Sequence, residues 1–127
     1  MSSCVLDSSA VLVLVQREPG FETVAGFFST AAISTVNLAE VASKLADKGL
    51  LSAELRNLLQ QLNLEIIDFD EELSYLVADL REATRATGLS LGDRACLATA
   101  KKLGVRAVTA DRKWGQLKVG VEVQIVR

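Results

Sequence analysis

The sequence predicts an α/β fold in which helices cover both faces of a mainly parallel sheet. Short aliphatic runs recur along the chain, helical patterns separate them, and breaker residues fall between the two kinds of segment. Strands separated by helical crossovers pair in parallel, because antiparallel neighbours need no more than a tight turn. With 127 residues, 50% of them hydrophobic, and one proline, the chain is expected to form a single domain over 1–127 with a full core.

Each element follows from local pattern. The run "SCVL" ends at Asp7 and reads as a buried strand. "SSAVLVLVQREPG" then reaches the breaker pair Pro19-Gly20. β-propensity alone would make "VLVLV" a second strand. Such a strand would follow the first with almost no turn residues between them, so a helix is expected instead. A helix over Phe21 to Thr30 precedes the strand "AAIS", and "TVNLAEVASKLADKG" is a helix closed by Gly49. "SAELRNLLQQL" is a further helix, "LEIIDF" a strand, and Glu71 to Thr87 a long amphipathic helix. "LSLGDRACLATAKKLG", Leu89 to Gly104, is another amphipathic helix. The strand "RAVT", a turn at "DRKW" and the strand "VEVQIV" close the chain. There is no internal repeat and no low-complexity segment.

Composition removes several kinds of chemistry. The chain has no histidine, which excludes imidazole-based triads and mixed nitrogen–sulfur metal sites. Hydrolysis would have to rest on carboxylates, hydroxyls or lysine. Cys4 and Cys96 lie within apolar segments and lack zinc-site spacing, so they read as small core residues in a reducing compartment. The longest aliphatic run, Ala10 to Val15, is far short of the roughly 20 residues of a membrane span. The N-terminus has no charged region ahead of an apolar one, and a cytoplasmic location without membrane attachment is expected. The net charge of −2 hides an asymmetry: 6 Lys+Arg stand against 13 Asp+Glu up to Leu91, and 8 against 3 from Gly92 onward.

In a parallel sheet, ligands bind beyond the carboxyl ends of the strands. Asp7 follows "CVL" and Asp111 follows "AVTA", while Glu40 and Asp93 lie in the first turns of helices. Four carboxylates are therefore candidates to converge at one edge. Each also has a structural explanation: Ser90-Leu-Gly-Asp93 and Asn37-Leu-Ala-Glu40 resemble capping boxes, and Asp7 and Asp111 could each cap the helix or turn after it. At 100° per residue, however, Asp93 shares a stripe with Cys96, Leu97, Ala100 and Leu103, the face expected to meet the core. A carboxylate on such a face needs a partner, since desolvating its charge costs several kcal/mol. Arg94 projects to the opposite side. Glu40 points away from Leu38, Val41 and Leu45, and either pairs with Lys44 one turn on or faces a groove.

Clustered carboxylates without histidine suit hard, oxygen-loving ions such as Mg2+ or Mn2+, which bind phosphate and activate water. The nearby cations Arg94, Lys101, Arg112 and Lys113 would suit a polyanionic backbone; for Lys101 and Lys102 a solvated face is the preferred reading. Trp114 reads as core, with stacking on a base as the alternative.

"VLDSSA", "STVNLAEV", "SLGDRACLATAKKLG" and "VTADRKW", in that order and at these separations, resemble the signature segments of PIN-domain ribonucleases, in particular VapC-type toxins of toxin–antitoxin systems. The resemblance spans essentially the whole chain. It implies a three-layer α/β/α sandwich around a central mainly parallel sheet, and endonucleolytic cleavage of RNA with Mg2+ or Mn2+ held by Asp7, Glu40, Asp93 and Asp111. It further implies that Thr109, two residues before the fourth acid, and a hydroxyl after the first, Ser8 or Ser9, support the site. A homodimer and a small VapB-like antitoxin partner are implied as well, with Ala10 to Val15 and Phe21 to Phe28 as contact surfaces unless they bury against the sheet. Two other readings stand beside this one. A PIN-like module without activity would bind RNA or protein only. A haloacid-dehalogenase-like phosphatase also places an aspartate after its first strand, but wants another two positions on, where Ser9 stands.

Overall fold

The computed structural model describes residues 2–126. Its sheet has five strands, β1 (Cys4–Leu6), β2 (Ala31–Ser34), β3 (Glu65–Ile67), β4 (Arg106–Thr109) and β5 (Val123–Ile125), in the order β3-β2-β1-β4-β5. Every neighbouring pair is parallel, with Cys4 opposite Ala31 on one side and Leu6 opposite Val108 on the other. The central strand β1 is wholly buried, as expected for a strand covered on both faces.

Strand alternation divides the core into two layers. Cys4, Leu6, Ala31, Ile33 and Val108 turn towards one face, where α1 (Ser8–Val15), α2 (Phe21–Ala25), α3 (Thr35–Asp47) and α4 (Ser52–Gln61) pack. Val5, Ala32 and Ala107 turn to the other, towards α5 (Glu71–Asp79) and α7 (Leu91–Leu103). The result is the three-layer α/β/α sandwich. "VLVLV" is helical, as the missing turn required: α1 starts at once behind Asp7, whose Oδ1 accepts the Ala10 amide at 2.8 Å. Ala10, Val11, Val13 and Val24 bury against the sheet, and Phe21, Phe27 and Phe28 are partly buried on the same cluster.

Two helices are shorter than the sequence predicts. The expected helix over Phe21 to Thr30 ends at Ala25, turns at Gly26 and resumes as a 3-10 turn over Phe28–Thr30. Glycine is a poor helix former, and the turn sends Phe27 and Phe28 to the core. The expected helix from Glu71 to Thr87 breaks at Leu80 into α5 and α6 (Arg81–Thr84). There the Thr84 hydroxyl donates to the Leu80 carbonyl at 2.8 Å, a local bond that bends helices. Leu103, expected on the buried stripe of its helix, is 39% exposed at the end of α7.

Cys4 and Cys96 are buried free thiols, and burial pushes both above the ordinary thiol range. No helix among the described residues is long and apolar enough to cross a membrane.

Trp114 is fully buried in the 3-10 turn Arg112–Gln116 that follows β4. Trp114→Ala is expected to lower unfolding free energy in urea by about 3–5 kcal/mol, because it empties the largest fully buried side chain and loosens the turn that carries Asp111.

Candidate active site

The carboxyl ends of β1 and β4 are tied together by Asp7. Its amide donates to the Val108 carbonyl at 3.0 Å, and its side chain is 3% exposed. Oδ1 accepts from the Ala10 amide and, at 2.7 Å, from the Ser9 hydroxyl; Oδ2 accepts from the Thr109 hydroxyl at 2.6 Å. Each hydroxyl accepts in turn from the backbone beyond β4, Ser9 Oγ from the Ala110 amide at 2.9 Å and Thr109 Oγ1 from the Asp111 amide at 3.0 Å. Ser9 is thus the serine bonded to Asp7, while Ser8 lines a neighbouring groove. Burial raises the Asp7 carboxyl to about 6, and the charge of Asp93 adds to the rise; the bonds from Thr109, Ala10 and Ser9 oppose it.

Asp93 sits at the third position of α7 in a full capping box. The Ser90 amide donates to its Oδ2 at 2.9 Å, and its own amide donates to Ser90 Oγ at 3.2 Å. Capping and an inward aspect hold together, since Asp93 is half-buried at the head of the helix. Glu40 does not form the cap that its spacing with Asn37 suggests. Helix α3 begins earlier, at Thr35, with the Ser34 hydroxyl accepting the Val36 amide as its cap. Asn37 is instead buried inside the first turn and donates to Glu40 Oε1 at 2.9 Å. Glu40 faces a groove of about 610 Å3 with Ser8, Leu12, Val36 and Lys44, and its carboxylate lies against Gly92 on α7. Asp111 caps the 3-10 turn after β4 by accepting the Lys113 amide at 3.0 Å, and Lys113 Nζ stands 3.9 Å from its Oδ2.

After burial itself, the charges of Asp7, Asp93, Cys4 and Glu40 push the Cys96 thiol further up. Asp111 is linked to Asp7 through Thr109 but leans towards Lys113. Among the described residues, no three Asp, Glu, Cys or His side chains stand close enough to enclose a metal ion as they lie. The donor set is all oxygen, from carboxylates with hydroxyls beside them, which fits a hard divalent cation and no softer one.

The basic candidates separate. Arg112 and Lys113 are exposed next to Asp111. Arg94 is a correction: it is 8% exposed and its Nη1 donates to the Val77 carbonyl at 3.1 Å, so it is withdrawn from any bound polyanion. The helical wheel set Arg94 opposite the core, but α7 runs between the sheet and other helices, and the side opposite the sheet is covered by α5. Lys102 pairs with Asp70 and Glu72, and Lys101 donates to the Val119 carbonyl. Trp114 is core. Asn37 and Gly92 were not legible as site residues; the spacing of Asn37 to Glu40 was visible but carried the wrong meaning.

A family model described as PIN domain matches residues 4–120. No curated protein matches the chain by sequence at a significant level. Among solved structures, the fold is similar to that in DNA-bound VapBC from Salmonella typhimurium, with TM-score 0.79 and 19% identity over 100% of both chains. VapC20 from Mycobacterium tuberculosis, a sarcin–ricin-loop-cleaving toxin, gives TM-score 0.71 at 15% identity, over 94% of this chain and 99% of that one. FitAcB from Neisseria gonorrhoeae gives 0.68 at 22% identity, over 95% and 96%.

A carboxyl raised by burial makes the fold weaker once it ionises. Between its unfolded value near 4 and its folded value of about 6, the native state holds the Asp7 proton more tightly than the unfolded chain does, so stability falls as pH rises through that window. Asp7→Asn in EDTA sets its amide nitrogen against a hydroxyl donor at every pH and is therefore expected to fall below the parent chain near pH 4. From there to above pH 6 it should gain on the parent by up to about 3 kcal/mol. Urea melts of the two proteins across pH 4–8 check this; a difference independent of pH would refute the burial assignment.

Proposed function

The chain belongs to the PIN-domain family, and on that premise we propose that it is a divalent-metal-dependent endoribonuclease acting as the toxin of a toxin–antitoxin pair. The observation that carries the reading is Asp7. A carboxylate buried at the carboxyl end of the central strand, within reach of the charge of Asp93, is costly to ionise without a cation.

Asp7, Glu40, Asp93 and Asp111 would hold the ion. When bound, Mg2+ or Mn2+ supplies activation of the attacking water and neutralisation of charge on the scissile phosphodiester. Ser9 and Thr109 fix the Asp7 carboxylate by donating to one oxygen each, and their own acceptor positions are filled by the Ala110 and Asp111 amides, so neither hydroxyl is free to swing away. Ser90 orients Asp93 through its backbone amide. Arg112 and Lys113, directly after Asp111, would hold the phosphate backbone of RNA against the acidic edge. Arg94 takes no part in that contact.

The relatives in fold include VapBC complexes from Salmonella typhimurium and Rickettsia felis bound to DNA, and a sarcin–ricin-loop-cleaving toxin from Mycobacterium tuberculosis. They support a VapB-like antitoxin as partner and RNA as substrate; a homodimer and a cytoplasmic location complete the proposed reading. The helix α1 and the Phe21–Phe28 segment offer the antitoxin only the side chains left partly exposed above the sheet, such as Leu12, Leu14 and Phe28.

The purified chain is expected to cut a structured RNA pool with Mg2+ or Mn2+ and to stop in EDTA. Asp93→Asn keeps the shape and the oxygen that accepts the Ser90 amide, so it should fold normally. It should lose at least the roughly 100-fold that removal of even an outer partner of a metal site can cost. Normal cutting by that variant would leave Asp93 as a helix cap only. A folded parent chain that cuts nothing with either ion would point to a binding module.

A further inference from the structure

Helices α3 and α7 meet at one amide. Asn37 is 1% exposed, and its Nδ2 donates both hydrogens, to Glu40 Oε1 at 2.9 Å and to the Gly92 carbonyl on α7 at 3.1 Å. The reverse orientation would set the amide oxygen against two acceptors, so the contacts fix its direction. Its Oδ1 is left buried without a hydrogen-bond partner. An apolar side chain of the same shape would avoid that penalty, so what the amide contributes lies in its two donations.

Gly92 supplies the other half of the arrangement. A Cβ on Gly92 would stand 2.6 Å from Glu40 Oε1 and 2.7 Å from its Cδ, so any side chain there would push the carboxylate aside. The Glu40 carboxylate therefore occupies the space a side chain would take, one residue before Asp93. Glu40 otherwise borders an open groove with Lys44 one turn away, where its flexible stem has alternatives. A neutral donor is suited to this position, because it directs the carboxylate without cancelling the charge, as a lysine or arginine would.

We infer that Asn37 is a positioning residue, which with the bare backbone of Gly92 holds the Glu40 carboxylate beside Asp93 so that α3 and α7 present their acids together to a divalent cation. This rests on the metal-dependent reading above.

The test is a double-mutant cycle on the full chain, using Mn2+ alone as the probe and electron paramagnetic resonance to count free ion, with metal-free thermal melts to verify folding. Asn37→Leu keeps size and removes the donors. It should weaken Mn2+ binding by about 10-fold or more, whereas on a Glu40→Ala background the same change should shift binding by no more than about twofold. Unchanged affinity in folded Asn37→Leu, or an equal loss in both backgrounds, overturns the inference. Should Asn37→Leu fail to fold, Gly92→Ala, which leaves the amide in place and displaces the carboxylate, must show the same dependence on Glu40; without it the inference falls. A parent chain that takes up no Mn2+, with Glu40→Ala no different, overturns the metal reading itself and this inference with it.

Discussion

The arrangement depends on one buried carboxylate. Asp7 is placed where the central strand ends, and burial there is met by three bonds from two elements: the Ala10 amide and Ser9 hydroxyl of the next helix, and the Thr109 hydroxyl of the neighbouring strand. Those bonds join β1, α1 and the end of β4 into one unit, so the order of elements along the chain becomes a fixed geometry at the sheet edge. They do not fully offset the loss of water, as the raised carboxyl shows. The fold therefore holds an acid at a position where its charge is unwelcome, which is what makes the position suited to a cation.

Helix α7 carries the second constraint. From Arg94 to Ala100 every residue is buried, because the helix runs between the sheet and α5 while its head meets α3. Small residues allow this: Ala95, Ala98 and Ala100 let the backbone approach its neighbours, and Gly92 lets Glu40 lie on it. The one long polar side chain in that buried stretch, Arg94, reaches the Val77 carbonyl near the end of α5, where a positive charge meets the negative end of the helix dipole. A residue that charge alone would assign to RNA instead joins two helices.

The same packing explains which features were legible in the sequence. The sheet and its helices could be read because strands and helices alternate in pattern, and α1 because the absence of a turn after "CVL" overrode the β-propensity of "VLVLV". The places of Asp7 and Asp111 after strands and of Glu40 and Asp93 in the first turns of helices could be read from pattern, whereas Thr109 entered only through the family resemblance. Arg94 could not, since a helical wheel assumes one solvent side and α7 has almost none. The bond between Asn37 and Gly92 could not, since it exists only across the α3–α7 contact, between residues 55 apart in sequence. The helix ends at Ala25 and Asp79 rest on weak local signals, Gly26 and the Thr84 hydroxyl, which take effect together with the packing of Phe27, Phe28 and Leu80.

Capping and metal binding are commonly weighed as rival explanations of an acid at a helix head, yet here the carboxylate has two oxygens and the fold uses them unequally. In Asp93, Oδ2 takes the Ser90 amide; in Glu40, Oε1 takes Asn37 while Oε2 rests on Gly92; in Asp111, Oδ1 takes the Lys113 amide while Oδ2 stands 3.9 Å from Lys113 Nζ. One oxygen of each is thus committed to its own backbone or amide neighbour, which aims the other and limits how far the carboxylate can turn. Such local bonds also let the chain tolerate like charges at one edge with no ion present, because each acid is stabilised where it stands rather than by the others. On the proposed metal-dependent reading, the acids that would hold an ion are already directed by these bonds. Lys113 would then have to leave Asp111, since its ammonium stands 3.9 Å from Oδ2, and its release would place a positive charge at the edge where a phosphate backbone would arrive.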